Sequence, residues 1–495
     1  MAEPIGRHYA RALDIVPALA LEVAPQLGRV DCRRRAALWL ERAAEAALEV
    51  AAHESARELL GRALELTDEE EAKERARRLA GLGEVTAATA DMDEGARLLA
   101  EALEIARAGG DRQGIARAAA ALSWVLDQQV QFMPAARMAD GALSEIGEGD
   151  DVETAMLLVR RATAINNGSD AVDGPRLDVE RALTIARKAG HRRLELEALA
   201  LLASLESGNL DDWRQLERLA LESGAWDKAA DAILSQALRL VADQAELARP
   251  LVGRARELCE ARGLRESLAW SHYAAVEVGL VSGEWDEAVA SARHALDIGV
   301  ASGYDRAVVR TWSAVLPLAA ARGDQMLLDE AHVWLADRFR EPESPSPYSL
   351  IMMAARQLEL ANGGLREQFT PAVEERLPSF ELRYSSPSWL AGLESVFVSW
   401  LRAGELDGAG RALERMATAA ARVDAATLGR ATSALFSGRL LAARGDDPSG
   451  EATRALAGFR KSEAPWWIAK ALRLLATPEA LAEAAELERA LGISP

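Results

Sequence analysis

Cysteine, lysine and aromatic residues are scarce in this chain, and each scarcity excludes something. Cys32 and Cys259 are the only cysteines, too few and too far apart for a disulfide framework or a zinc signature. The lysines are Lys73, Lys188, Lys228, Lys461 and Lys470, and none follows a glycine. A phosphate-binding loop needs that Gly-Lys pair at the start of a helix, so nucleotide hydrolysis by this chain is not expected. Of the histidines His8, His53, His191, His272, His294 and His332, none belongs to an HExxH motif, and no G-x-S-x-G elbow is present. Carboxylates are so abundant that no pair stands out as an acid and a base. The sequence therefore reads as non-enzymatic, with no cofactor and no metal.

Charge and hydropathy narrow the class further. The net charge of −19 and pI near 5.0 oppose binding to nucleic-acid backbones and to anionic membrane surfaces. The start, MAEPIGRHYARALDIV, has neither the basic lead nor the apolar run of a signal peptide, and no uncharged stretch is long enough to span a bilayer. A soluble, cytoplasmic protein is expected. Half of the chain (49%) is hydrophobic while aromatics supply 5%, so alanine and leucine must fill the core. Small core residues let helices approach closely, and the β-branched and aromatic residues that sheets favour are few.

What is present is a repeat. ARELLGRALEL (56–66), ARLLAEALEI (96–105), ARMADGALSEI (136–146), LDVERALTIA (177–186) and VASARHALDI (289–298) are alike. Their alanines Ala63, Ala102, Ala142 and Ala182 step by 39, 40 and 40 residues, and Ala255 and Ala295 are again 40 apart. Tight polar turns precede several of these helices: ADMDEG (90–95), GEWDEA (283–288) and GELDGA (404–409). Glycine permits the reversal, and the acidic residues favour the next helix N-terminus. Helix, turn, helix and linker at this period predict an all-α superhelix, a solenoid of roughly twelve helical hairpins.

The residues resemble the tetratricopeptide repeat family. Leu79, Leu82, Gly83, Thr86, Ala90, Gly95 and Ala102 stand at its bulky and small positions, as do Trp312, Val315, Leu316, Ala319 and Gly323. Leu393, Val396, Phe397, Trp400, Gly404 and Ala409 form another such set. The period exceeds the family's usual length of about 34 residues. Stretches 32–66 and 459–493 look like the first and terminal hairpins of the tetratricopeptide regions that end bacterial signal-transduction ATPases, including LuxR-type and cyclase-associated regulators.

Proline and glycine breaks divide the stack, and the resemblance implies a site. Residues 1–30 read as a helical lead-in, 31–340 as an N-terminal solenoid, and 346–495 as a C-terminal one. The proline-rich 340–349 and the irregular 363–388 interrupt the stack, INNGSDAVDGP (165–175) makes a long turn, and 464–493 caps the end. In the family, positions 2, 5, 9, 12 and 13 of each first helix face a concave groove. Here those positions hold Arg117, Trp124, Asp127, Gln128, Trp270, Tyr273, Glu277 and Arg310. Trp312 and Trp400 fall on packing positions, Trp285 lies in a turn, and one of Trp466 and Trp467 must point away from the core. The implied function is a scaffold that binds a protein or peptide partner, or a small effector, as the sensor arm of a bacterial signalling ATPase system. The alternatives are a peptide-sensing transcriptional regulator region and an enzyme with a pocket inside the superhelix.

Overall fold

The computed structural model describes residues 29–338 and 386–493, apart from 50–51, 90, 148, 169–172, 206–208 and 423–426. They form 22 helices, and no strand occurs among them. The first hairpins pair α1 (Arg29–Glu49) with α2 (His53–Glu65), α3 (Ala72–Thr89) with α4 (Met92–Ala108), and α5 (Arg112–Gln128) with α6 (Phe132–Ile146). Next come α7 (Val152–Gly168) with α8 (Asp173–Ala189), α9 (Arg192–Leu205) with α10 (Leu210–Ser223), and α11 (Trp226–Leu240) with α12 (Ala245–Arg262). Then α13 (Arg265–Ser282) pairs with α14 (Trp285–Ser302), and α15 (Asp305–Arg322) with α16 (Gln325–Arg338). The remaining pairs are α17 (Pro387–Ala403) with α18 (Leu406–Arg422), α19 (Thr427–Arg444) with α20 (Ser449–Lys461), and α21 (Pro465–Leu475) with α22 (Pro478–Ala490).

The period-40 alanines explain why these helices pair. Ala63, Ala102, Ala142, Ala182, Ala255 and Ala295 all lie on even-numbered helices and are all buried. On α4 the buried set is Met92, Gly95, Leu98, Leu99, Ala102, Leu103 and Ala106, a stripe at helical spacing. Burying each of its leucines stabilises the hairpin by about 1.5–3 kcal/mol, and the alanines let the helices close. The turns follow the sequence too. Asp91 caps α4 by accepting from the N–H groups of Asp93 and Glu94 at 3.0 Å each. Gly283, with φ of 85°, ends α13 in the left-handed conformation that side chains resist.

Successive odd-numbered helices also touch one another, whereas successive even-numbered ones do not pack comparably. The odd helices are therefore the inner layer and the even ones the outer layer of a curved stack. The curvature is tight enough for the chain to meet itself. α3 packs against α13 and α14, α5 against α15, ten helices further along, and α13 against α21. At the first seam the C-terminal end of α3 rests on the N-terminal ends of α13 and α15, and that of α5 on α15, an arrangement in which helix dipoles attract. Tyr304, fully buried, donates to the carbonyl of Ala88, and Arg265 donates to that of Thr89 at 3.3 Å. In the next seam Arg322 donates to the carbonyl of Leu491 at 2.7 Å, and Trp285 meets Trp466 edge-on with centroids 5.4 Å apart.

Several expectations meet the structure at particular residues. The long turn at 165–175 is shorter than expected, because α7 runs to Gly168 and α8 begins at Asp173. Residues 1–28, the segment 340–349 and 363–385 lie outside the described residues. Pro387, expected within an irregular zone, opens α17 after its cap Ser386, since a first-turn proline lacks an N–H that would go unpaired anyway. Trp312 and Trp400 are buried. Trp466 and Trp467 are both buried, one against Trp285 of the earlier turn and the other fully enclosed, because two layers rather than one face this helix. Both cysteines are free and buried, and burial pushes the Cys259 thiol up to about 12.

Candidate functional site

The inner helices carry charged residues that join one helix to the next. Glu84 on α3 takes a two-pronged contact from Arg117 on α5, both bonds 2.9 Å. Arg160 on α7 reaches Glu197 on α9 at 3.1 Å, and Arg193 on α9 reaches Asp227 on α11 at 2.8 Å. Lys228 holds Asp231 at 2.9 Å within α11, and Ser267 on α13 donates to the same carboxylate at 3.1 Å. The series closes at the seam, where Arg306 on α15 lies 2.8 Å from Asp127 on α5 and 3.8 Å from Glu266 on α13. Asn167 on α7 donates to Asp127 at 2.7 Å, and Gln128 donates to Glu266 at 2.9 Å. The inner face of the first turn is thus a continuous charged lining.

Protein surrounds this lining, yet solvent reaches it. The Lys228 side chain retains 21% of its surface and that of Glu266 31%. Burial alone would lower the Lys228 ammonium, but Asp231, Asp227 and Glu197 together hold it above its usual range. Burial likewise works against Glu197, which Arg160, Lys228 and Arg193 keep below the usual carboxylate range. The Glu84 carboxylate raises Arg117. Glu266 goes the other way: burial raises it against the pull of Arg306, with Asp231 and Asp127 adding to the rise. Acidic charge is in excess at that corner.

The residues that the sequence assigned to a groove are distributed over two clusters. Arg117, Asp127, Gln128 and Trp270 belong to the first-turn lining. Asp127 and Gln128 are buried in the seam, and Trp270 carries the Arg306 guanidinium over its ring at 5.2 Å. Trp124 is half-buried against the first-turn core. Tyr273 and Glu277 form a second, fully enclosed cluster. The Tyr273 hydroxyl donates to Glu277 at 2.7 Å, and Ser388 donates to it through its N–H at 3.0 Å and through its hydroxyl. Arg310, half-buried, adds a favourable charge to Glu277. The residues sequence reading missed are Glu84, Arg160, Arg193, Glu197, Asp227, Lys228, Asp231, Glu266 and Arg306. Their signal was present as opposite charges three or four apart, as in Arg193 and Glu197 or Lys228 and Asp231, but outer faces carry the same pattern.

The enclosed cluster supplies a pH test. Burial raises Glu277 in spite of the bonds from Ser388 and Tyr273. A carboxyl raised in the folded state gives stability that is full at low pH and lost as pH rises through its folded pKa. Glu277→Gln removes that loss, because the amide oxygen can accept the Ser388 N–H while both hydroxyls turn to accept from the amide nitrogen. The variant should melt higher than wild type at pH 7.5 and gain less at pH 5. An equal change at both values would show that Glu277 is not held against ionisation.

Among the described residues no group of three or more His, Cys, Asp or Glu could hold a metal ion, and no helix is long and apolar enough to cross a membrane. No family model and no curated protein matches the sequence. Among solved structures, a Rap protein complexed with competence and sporulation factor is similar at 14% identity, over 67% of this chain and 99% of that one, with a TM-score of 0.42. Yeast Tom70 is similar at 11% identity over 92% of this chain and 95% of that one, with a TM-score of 0.28. Naa15/Naa10 bound to HypK-THB is similar at 12% identity over 99% and 96%, with a TM-score of 0.21. The chain's own helix packing carries the fold assignment: an all-α, tetratricopeptide-like solenoid.

Proposed function

We propose that this chain is a non-catalytic scaffold that holds a protein or peptide partner along the lining of its first superhelical turn. The supporting observation is the run of ion pairs from Glu84 to Arg306, fixed from helix to helix and still wetted. Pairing holds each side chain in place before a partner arrives, so less rotamer freedom is lost on binding. Both signs recur along the run, which suits an extended polypeptide carrying both. A small effector would engage only one corner of it. The sensor arm of a larger bacterial signalling ATPase is the finer reading, supported by the sequence resemblance at 32–66 and 459–493. An ATPase module encoded upstream in the same reading frame is the outcome that reading expects.

The binding reading is tested with peptides selected by display against the full chain. Affinities would be compared for wild type, the lining variant Arg193→Glu and the outer-face variant Arg214→Glu. The lining variant should weaken binding at least about tenfold, or about 1.4 kcal/mol, while Arg214→Glu should leave it unchanged. Peptides that bind both variants as tightly as wild type would place the partner elsewhere.

A further inference from the structure

Among the described residues, the inner helices of the second turn carry a charge cluster whose signs do not balance. Glu394 on α17 lies between Arg439 on α19 and Lys470 on α21. Arg439 donates to one carboxylate oxygen at 2.7 Å, and Lys470 donates to the other at 2.6 Å. Among the described residues, the charges that act on Lys470 are those of Glu394 and Arg439. Two cations thus share one carboxylate in a chain whose net charge is −19. In the first-turn lining, by contrast, Lys228 alone has three carboxylates acting on it.

Access is also asymmetric. The Glu394 side chain is 7% exposed, whereas those of Arg439 and Lys470 keep 21% and 18%. Part of each cationic side chain remains accessible, whereas the carboxylate is almost fully covered. The Lys470 ammonium rests 3.2 Å from the centre of the Trp466 ring, which fixes its position. Burial pulls it down to about 8 despite Glu394, with Arg439 adding to the fall. An enclosed surplus cation is unfavourable unless an anion meets it. Arg439 still offers N–H groups beyond its bond to Glu394, and Lys470 offers the N–H turned neither to Glu394 nor to the Trp466 ring. These spare donors exceed what the Glu394 carboxylate takes up and suit a phosphate-class group.

We propose that Arg439 and Lys470, held apart by Glu394, form a seat for one oxyanion, with phosphate as the class that uses most of its donors. The seat needs no partner in the first turn, so its failure and that of the binding reading are separable. The experiment uses the full chain at pH 8 and constant ionic strength, with inorganic phosphate or acetate replacing chloride. An amine-reactive label is applied, and each lysine is followed by peptide mass spectrometry. An anion in the seat raises the Lys470 pKa, and at pH 8 one unit of rise cuts the reactive amine from about half to about a tenth. Phosphate should therefore slow labelling of Lys470 about fivefold, and leave Lys73, Lys188 and Lys461 unchanged. Arg439→Gln should abolish the protection, and Arg439→Lys, which keeps the charge without the planar guanidinium, should retain part of it. Protection by phosphate alone assigns a phosphate group; protection by acetate as well extends the seat to carboxylates. Labelling of Lys470 that is indifferent to both anions in the wild-type chain overturns the proposal, and that arm needs no variant to fold.

Discussion

Gly95→Val is expected to destabilise the first hairpins by about 3 kcal/mol, and Gly61→Ala to stabilise the same region by about 0.5–1 kcal/mol. Both glycines lie inside helices, and only their surroundings differ. A Cβ at Gly95 would come within 2.5 Å of the Ala87 Cβ, 2.6 Å of its N and 2.7 Å of its Cα. Those are largely backbone atoms of α3, so α3 and α4 would have to separate. A Cβ at Gly61 meets nothing within 4 Å, and there alanine simply restricts the unfolded chain. Because each repeat is stabilised by its neighbours, the Gly95 damage should stay local. It should appear as an added early transition in urea, with hydrogen exchange rising over residues 72–108 while the α19–α22 region keeps its protection. A single unchanged transition would contradict the close approach of α3 and α4.

Arg306→Met is expected to weaken the seam between the first and second turns by about 3 kcal/mol. The side chain of Asp127 is 5% exposed, and Arg306 is its cationic partner there, with Asn167 the remaining donor. Methionine keeps an apolar stem against Trp270 but leaves Asp127 and Glu266 facing each other. The double variant Arg306→Met with Asp127→Asn should recover much of the loss, since it removes the stranded charge as well. The pH dependence has a definite sign. Burial already raises Glu266, and loss of the Arg306 pull raises it further in the folded state, so protonation favours folding, and the deficit is largest at neutral pH and shrinks on acidification. Urea melts at pH 7.5 and 5 measure this. Small-angle scattering should show a longer particle as the turns part. An unchanged maximum dimension together with a pH-independent deficit would assign Arg306 a purely local role.

The two variants also mark where sequence reading succeeded and where it ended. The alanines from Ala63 to Ala295 lie on the even helices, and the Gly83, Gly95 and Ala102 set marks a true close approach. Such contacts join residues near in the chain, so a local period encodes them. The seam is of another kind. Tyr304 meets Ala88 across 216 residues, and Arg306 meets Asp127 across 179. Such pairings depend on small rotations summed over many hairpins, and no local pattern records that sum. This is why positions 127, 128, 273 and 277, which the family register assigns to an open groove, are buried here against later helices.

By itself, then, the sequence determined the helical class, the hairpin period and the scarcity of catalytic motifs. All of these follow from the residue types within a span of about 40 positions. Only the tertiary structure decided that the turns close on one another, that opposite charges on the inner faces form one lining, and that Arg439 and Lys470 share a single carboxylate. Those outcomes come from the pitch of the superhelix, which brings together residues that the chain order keeps far apart.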